Sequence, residues 1–214
     1  MKRVIIVFIA LVATTVVSNA QFFIDGDVGV SFDKSSSEYD NIKNPYSIFS
    51  INVSPQFGYW VNDKVAVGAR ATLFSRYQKH MTTNTAGERI ERKEWSPEWR
   101  FSVFGRYKLW GTEKFSVLGE SYILIGGNIT KEKIGSADAE KVSTGSVIGI
   151  HVAPIVTYDL SEKFSIKLVC DFLDLGYDFQ RTKQEYYNRT VSSSHFAINL
   201  QSSTSFRIGF IYNF

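Results

Sequence analysis

The chain has 214 residues, 44% of them hydrophobic and 15% aromatic, with 24 basic against 21 acidic side chains. Once the leading Lys2 and Arg3 are set aside it is nearly neutral, which excludes a basic nucleic-acid-binding surface, and its lone cysteine, Cys170, excludes an internal disulfide framework. Past the N-terminus no second run of about 20 apolar residues occurs, which excludes a helical inner-membrane protein.

The first element is a leader. Met1-Lys2-Arg3 is followed by an apolar run from Val4 to Val17 and by Ser18-Asn19-Ala20. A short basic stretch, an apolar stretch too short to span as a helix and small residues before a cleavage point make a secretory signal peptide over 1–20. The remaining residues, 21–214, are expected to form one domain.

From there the chain alternates apolar runs of period two with two kinds of connector. The predicted strands are 22–33, 47–60, 65–77, 95–109, 115–130, 145–158, 164–176 and 195–214. Three connectors are short and carry an acid followed by a lysine: Asp63-Lys64, Glu113-Lys114 and Glu162-Lys163. The other four, 34–46, 78–94, 131–144 and 177–194, are long and hydrophilic. Long and short strictly alternate, the rhythm of an antiparallel barrel with short turns at one end and longer loops at the other. A repeat of about 50 residues, Tyr59 to Val65, Tyr107 to Phe115 and Tyr158 to Phe164, fixes three hairpins. With a first and a last strand these give eight strands, and both termini on the periplasmic side.

Each strand has a greasy and a polar face. On the first, Phe22, Ile24, Val28, Val30 and Phe32 oppose Asp25, Asp27, Ser31 and Asp33. The second sets Phe49, Ile51, Val53 and Phe57 against Ser50, Asn52, Ser54 and Gln56. The fourth sets Trp99, Phe101, Val103 and Tyr107 against Glu98, Arg100, Ser102 and Arg106. The fifth is mixed, because Leu118, Tyr122 and Leu124 share the side of Glu120. The last strand carries Phe206, Ile208, Phe210, Tyr212 and Phe214 on one face and runs to the final residue. Aromatics gather at strand ends, where ring and headgroup suit each other. Apolar side chains outward and charges inward describe a membrane barrel; a soluble barrel inverts the pattern. The fold class is therefore all-β, an eight-stranded antiparallel up-and-down transmembrane β-barrel.

The signal peptide, the eight alternating strands and the closing Phe210, Tyr212 and Phe214 resemble the outer membrane protein β-barrel domain family, with its small OmpA-type and OmpX-type barrels. The resemblance implies residence in the cell outer membrane among lipid and lipopolysaccharide. It also implies that the barrel-assembly machinery reads the terminal aromatics, here Phe210, Tyr212 and Phe214. No peptidoglycan-binding module is implied, and a monomer is expected.

Candidate chemistry is sparse. His80, His151 and His195 have no partner at metal-ligand spacing, so neither metal nor cofactor is expected. Ser192-Ser193-Ser194-His195, with Asp174 or Asp178 orienting the imidazole, is the one arrangement suggesting a lipid-modifying enzyme. Ser-rich loops produce such text without catalysis, and no enzyme is expected. The more informative set is inward: Asp27, Arg70, Arg100, Arg106, Glu120, Lys167, Asp171 and Arg207 fall at or around mid-barrel depth. Charges of both signs in a narrow space must pair. Asp27 is expected to meet Arg207, and Glu120 to meet Arg106 or Arg100. An interior of eight strands is about wide enough for side chains to fill. The expected role is structural or surface-interactive, with a plugged lumen and an unidentified surface ligand as a candidate partner. The alternatives are a narrow porin-like pore, an exported ligand-binding barrel and, last, the lipid-modifying enzyme.

Overall fold

A computed structural model describes residues 21–39, 42–83, 88–170, 173–198 and 206–214. The expected leader, 1–20, and Asp171 lie outside the described residues. Ten strand segments follow in chain order: β1 (Gln21–Tyr39), β2 (Ile42–Trp60), β3 (Val65–Thr83), β4 (Arg89–Gly111), β5 (Phe115–Ile134), β6 (Glu140–Asp159), β7 (Phe164–Cys170), β8 (Leu175–Gln184), β9 (Arg189–Ile198) and β10 (Phe206–Asn213). All pairings are antiparallel. β7 and β8 share one neighbour, β6: Ile155–Asp159 pairs with β7 and Ser143–Val152 with β8. They form one stave, as do β9 and β10, so the wall has eight. The ring closes where Phe23–Val28 of β1 meets Ile208–Asn213 of β10.

The structure corrects two expectations about the strands. Apolar patterning predicts a continuous seventh strand over 164–176; among the described residues Leu173 and Asp174 instead lie outside any strand, and the ladder resumes at Leu175. Cys170, which parity would face to lipid, is buried at that break. The four long connectors are also mostly ladder. β3 and β4 pair out to Thr83–Arg89, β1 and β2 to Tyr39–Ile42, and β8 and β9 fill most of 177–194. The physical reason is that a ladder is made by backbone groups, so it continues through polar residues once apolar patterning stops. Cross-strand ion pairs such as Lys79–Glu91 and Arg92–Glu132 add to it.

Among the described residues the outer wall carries a broad apolar belt. Phe22, Ile24, Val28, Val30 and Phe32 on β1 stand exposed beside Phe49, Ile51 and Val53 on β2. The belt continues through Phe101 and Val103, Ile123 and Ile125, Ile148 and Ile150, and Ile208 and Phe210. Ten steps from Phe22 to Phe32 cover about 33 Å of strand, which at a tilt of about 40° is roughly a 25 Å band. An apolar surface of this extent belongs against lipid, not water. Aromatics border it on both sides: Phe22, Tyr59, Tyr158 and Tyr212 near the short turns, and Phe32, Phe49, Tyr77 and Trp95 near the long hairpins. Among the described residues no helix is long and apolar enough to cross a membrane.

Candidate functional site: a buried ion lattice across the lumen

Alternation along β1 aims Asp25 and Asp27 inward, and the other staves answer with complementary charge. Arg106 of β4 lies at the centre. Its Nε donates to Glu120 Oε2 at 2.7 Å, and its Nη2 donates to Asp25 Oδ2 at 2.6 Å and to Gln56 Oε1 at 2.7 Å. Arg70 of β3 donates to the other oxygen of Glu120. Lys167 of β7 reaches Asp25 Oδ1 at 2.6 Å and Asp27 Oδ2 at 3.0 Å. Gln56 Nε2 donates to Asp27 Oδ2 at 2.7 Å, and Arg207 Nη1 donates to Asp27 Oδ1 at 2.7 Å. Three carboxylates thus face four cations, with Gln56 serving both signs through its two ends. Apart from Arg207 these side chains are almost wholly out of solvent; Arg106 is 1% exposed and Lys167 0%.

Of the inward charges read from the sequence, Asp27, Arg70, Arg106, Glu120, Lys167 and Arg207 meet in this lattice. Arg100 does not: it pairs with Glu98, two residues along its own strand. Its β5 neighbour is Gly126, whereas Arg106 stands directly across from Glu120. Asp25 and Gln56 lie on the polar faces of their strands but outside the charge layer that the sequence marks, and both prove central. Parity alone signals them; their depth does not stand out because the barrel's stagger is invisible in one strand.

Against the ions the lumen is packed with hydrocarbon. Phe23, Ala66, Phe104 and Ile211 form one buried cluster, Leu118, Ile155 and Val169 another, and Trp60 packs against both. The guanidinium of Arg106 lies 4.6 Å from the Phe104 ring centre and 5.3 Å from that of Phe23, and that of Arg70 lies 5.1 Å from Tyr122. Cation–ring attraction of this kind strengthens when water is excluded. Below the cluster a polar vestibule of about 300 Å³ opens towards the short turns, lined by Gln21, Trp60, Lys108, Ser116 and Asn213 and floored by Leu118 and Ile211.

Glycines make the room for these inward rings. A Cβ on Gly58 would lie 2.2 Å from Phe23 Cζ; on Gly68 it would lie 2.4 Å from Phe104 Cζ and 2.5 Å from the Phe57 carbonyl oxygen. At Gly26 the nearest atom would be 3.8 Å away. Gly68→Val is therefore expected to lower folding stability by about 1–3 kcal/mol through overpacking. Gly26→Ala should leave the urea midpoint of the refolded protein nearly unchanged. Equal midpoints for the two variants would contradict the packing described here.

Above the lattice, His151 is held between two carboxylates. Its Nδ1 lies 3.1 Å from Asp174 and its Nε2 3.1 Å from Asp178 Oδ1. The Tyr122 ring stacks on the imidazole with centres 5.0 Å apart, and its hydroxyl donates to Asp174 at 3.2 Å. Gly176 is bare because a Cβ there would strike the imidazole. This bears on the Ser/His candidate: Asp174 and Asp178, the two acids that would orient His195, are engaged by His151. His195 sits across from Asp178 on β9 and is exposed, as are Ser192, Ser193 and Ser194.

At the closing seam, Phe214 N donates to the Phe22 carbonyl at 3.0 Å. Its ring meets Tyr212 edge-on at 5.2 Å, and Phe210 stacks on Phe164 at 5.5 Å. All three aromatics point out of the wall.

No protein-family model matches the sequence, and no curated protein matches it. Among solved structures the chain aligns with a major outer membrane protein from Thermus thermophilus, at 14% identity and a TM-score of 0.43, over 92% of this chain and 100% of that one. It aligns with the outer membrane protein OprG from Pseudomonas aeruginosa at 17% identity and a TM-score of 0.40, over 91% and 96%. It aligns with Ail, the attachment invasion locus protein of Yersinia pestis, at 10% identity and a TM-score of 0.39, over 91% and 98%.

Proposed function

We propose that this chain is an integral protein of the cell outer membrane whose barrel is closed to solutes and serves to anchor its long hairpins at the cell surface. The supporting observation is the contrast between wall and lumen. The wall offers lipid an apolar belt, while the lumen is filled by the buried ions and the hydrocarbon packed against them. A ring that closes on itself leaves no strand edge in its lower half needing a second chain, so a monomer suffices. The hairpins extend the ladder well past the belt, which makes them stiff platforms for surface contact. Terminal aromatics exposed at the seam suit delivery by the barrel-assembly machinery.

Planar-bilayer recording of the purified protein tests this directly. The expected trace is quiet, or shows small and infrequent events. Large stable channels from the wild type would overturn the closed barrel and favour a narrow pore for small solutes. Recovery of the protein from the soluble periplasmic fraction instead of the outer-membrane fraction would overturn the location, and with it the anchor.

A further inference from the structure

The mouth of the lumen at the short turns carries groups that the plug does not use. Alternation sends most aromatics of this end outward, and Phe22, Tyr158 and Tyr212 stand exposed on the wall. Trp60 turns inward. Its ring packs on Phe23, with centres 5.9 Å apart, and also lines the vestibule of about 300 Å³. Every stave except β3 contributes to that cup. It is blind, because the buried Leu118 and Ile211 close its inner end.

Around this apolar base stand hydroxyls and amides, among them Ser116, Thr157, Ser165 and Asn213. Asn213 faces inward on β10, and its Oδ1 has no partner among the described residues. Lys108 has no ion pair among the described residues either. Its stem runs along the wall towards the turn, since a Cβ on Gly111 would come within 2.6 Å of Lys108 Cε. In ring order β4 stands opposite β10 and β2 opposite β6, so Lys108 lies across the cup from Asn213, and Trp60 across from Asp159.

This lining selects by charge and polarity. Asp63 and Asp159 oppose an anion, and Lys108 opposes a compact cation. A purely apolar ligand would take water from the polar rim and return no hydrogen bonds. A neutral ligand rich in hydroxyls answers the whole rim, because each hydroxyl both donates and accepts. One C–H-rich face on that ligand would suit the indole and Leu118. We propose that the vestibule binds a neutral saccharide, with one ring lying on Trp60 and its hydroxyls bonded to Lys108, Asp159 and Asn213. Asp159 Oδ1 already accepts from Ser165 Oγ at 2.6 Å, which leaves its other oxygen for the sugar. The volume is at the low end of ligand sites, about 300–1,000 Å³, and holds one or two rings. The saccharide is either a free sugar or the end of a longer glycan trailing out past the turns. The site goes beyond the surface-anchor reading and needs only the closed barrel.

The test is calorimetric titration of the full mature chain, refolded in a detergent that has no sugar headgroup. The probes are cellobiose and diacetylchitobiose, with sodium acetate and putrescine as charged controls. At least one disaccharide is expected to bind in the millimolar range or tighter, and neither control to bind measurably. Trp60→Leu should weaken binding about tenfold through loss of the ring contact, and Asn213→Leu should weaken it too. Ser116→Tyr, which fills the cup from its wall, should abolish binding with little change in the urea midpoint. If Trp60→Leu fails to fold, because the ring also packs on Phe23, the other two variants carry the test. No heat from either disaccharide, undiminished binding by Ser116→Tyr, or equal binding of acetate or putrescine would overturn the site. The corresponding tetrasaccharides separate the two sources: affinity equal to the disaccharide's supports a glycan end, and lost affinity supports a free sugar. None of these results alters the bilayer trace that tests the anchor, so the two readings fail separately.

Discussion

Glu120→Gln is expected to destabilise the folded barrel by about 3–5 kcal/mol, the usual cost of removing one partner from a buried ion pair. The side chain keeps its size, so the effect isolates charge. In the wild type three carboxylates, Asp25, Asp27 and Glu120, face Arg70, Arg106, Lys167 and Arg207, one positive charge in excess. After the change two carboxylates face four cations in a space closed to water. Arg70 Nε and Arg106 Nη1 already lack partners, so neither guanidinium has a spare acceptor to turn to. Adding Arg70→Met should recover part of the loss, because it removes one unbalanced cation and leaves Arg106 with Asp25 and Gln56. Urea midpoints of the refolded protein in vesicles decide it. A loss under about 1 kcal/mol for Glu120→Gln, in the range of exposed pairs, would show that water reaches the lattice. The same variant in the bilayer should raise the frequency of small conductance events, since loosening the lattice loosens the plug.

Deleting Phe214, or replacing it with Asp, is expected to reduce folded protein in the outer membrane severalfold. The strand it ends is the one that closes the ring, and its amide donates to Phe22 across the seam. Deletion removes that bond. Replacement by Asp puts a charge where an aromatic ring faces the membrane interface. Loss of a single exposed ring is a modest change to the finished barrel, so the purified variant should still refold in detergent. A large deficit in cells with near-normal refolding in vitro would place the effect at delivery, where the resemblance puts an assembly signal read from Phe210, Tyr212 and Phe214. Normal surface levels of the deletion would remove that role.

Much of the wall is legible in the residues alone. Side chains on a strand alternate, so Phe22 and Ile24 share a face and Asp25 and Asp27 the other. The acid-lysine turns mark one end, and the count of eight staves follows from their spacing. Two of the lattice contacts, Arg106 with Glu120 and Asp27 with Arg207, come from strand order. Strand length is harder, because the polar hairpins between residues 78 and 94 or 177 and 194 extend a ladder that apolar patterning no longer reports.

Which face meets lipid follows from the order of residues wherever alternation is clean, as on β1 and β2; the mixed fifth strand and buried Cys170 show where it is not. Everything that depends on stagger and curvature waits for the closed barrel. Arg106 reaches Asp25 across 81 residues of chain, and Lys167 reaches Asp27 across 140; no single strand shows their common depth. Phe22 and Phe23 are neighbours of one type, yet one faces lipid and the other fills the lumen beneath the ions. Gly58 and Gly68 read as ordinary strand glycines until the rings of Phe23 and Phe104 occupy the space their missing side chains leave. Lys79, Lys93 and Lys133 are scattered along the chain, and they become neighbours because strand register sets Lys79 across from Lys93 and Lys93 across from Lys133.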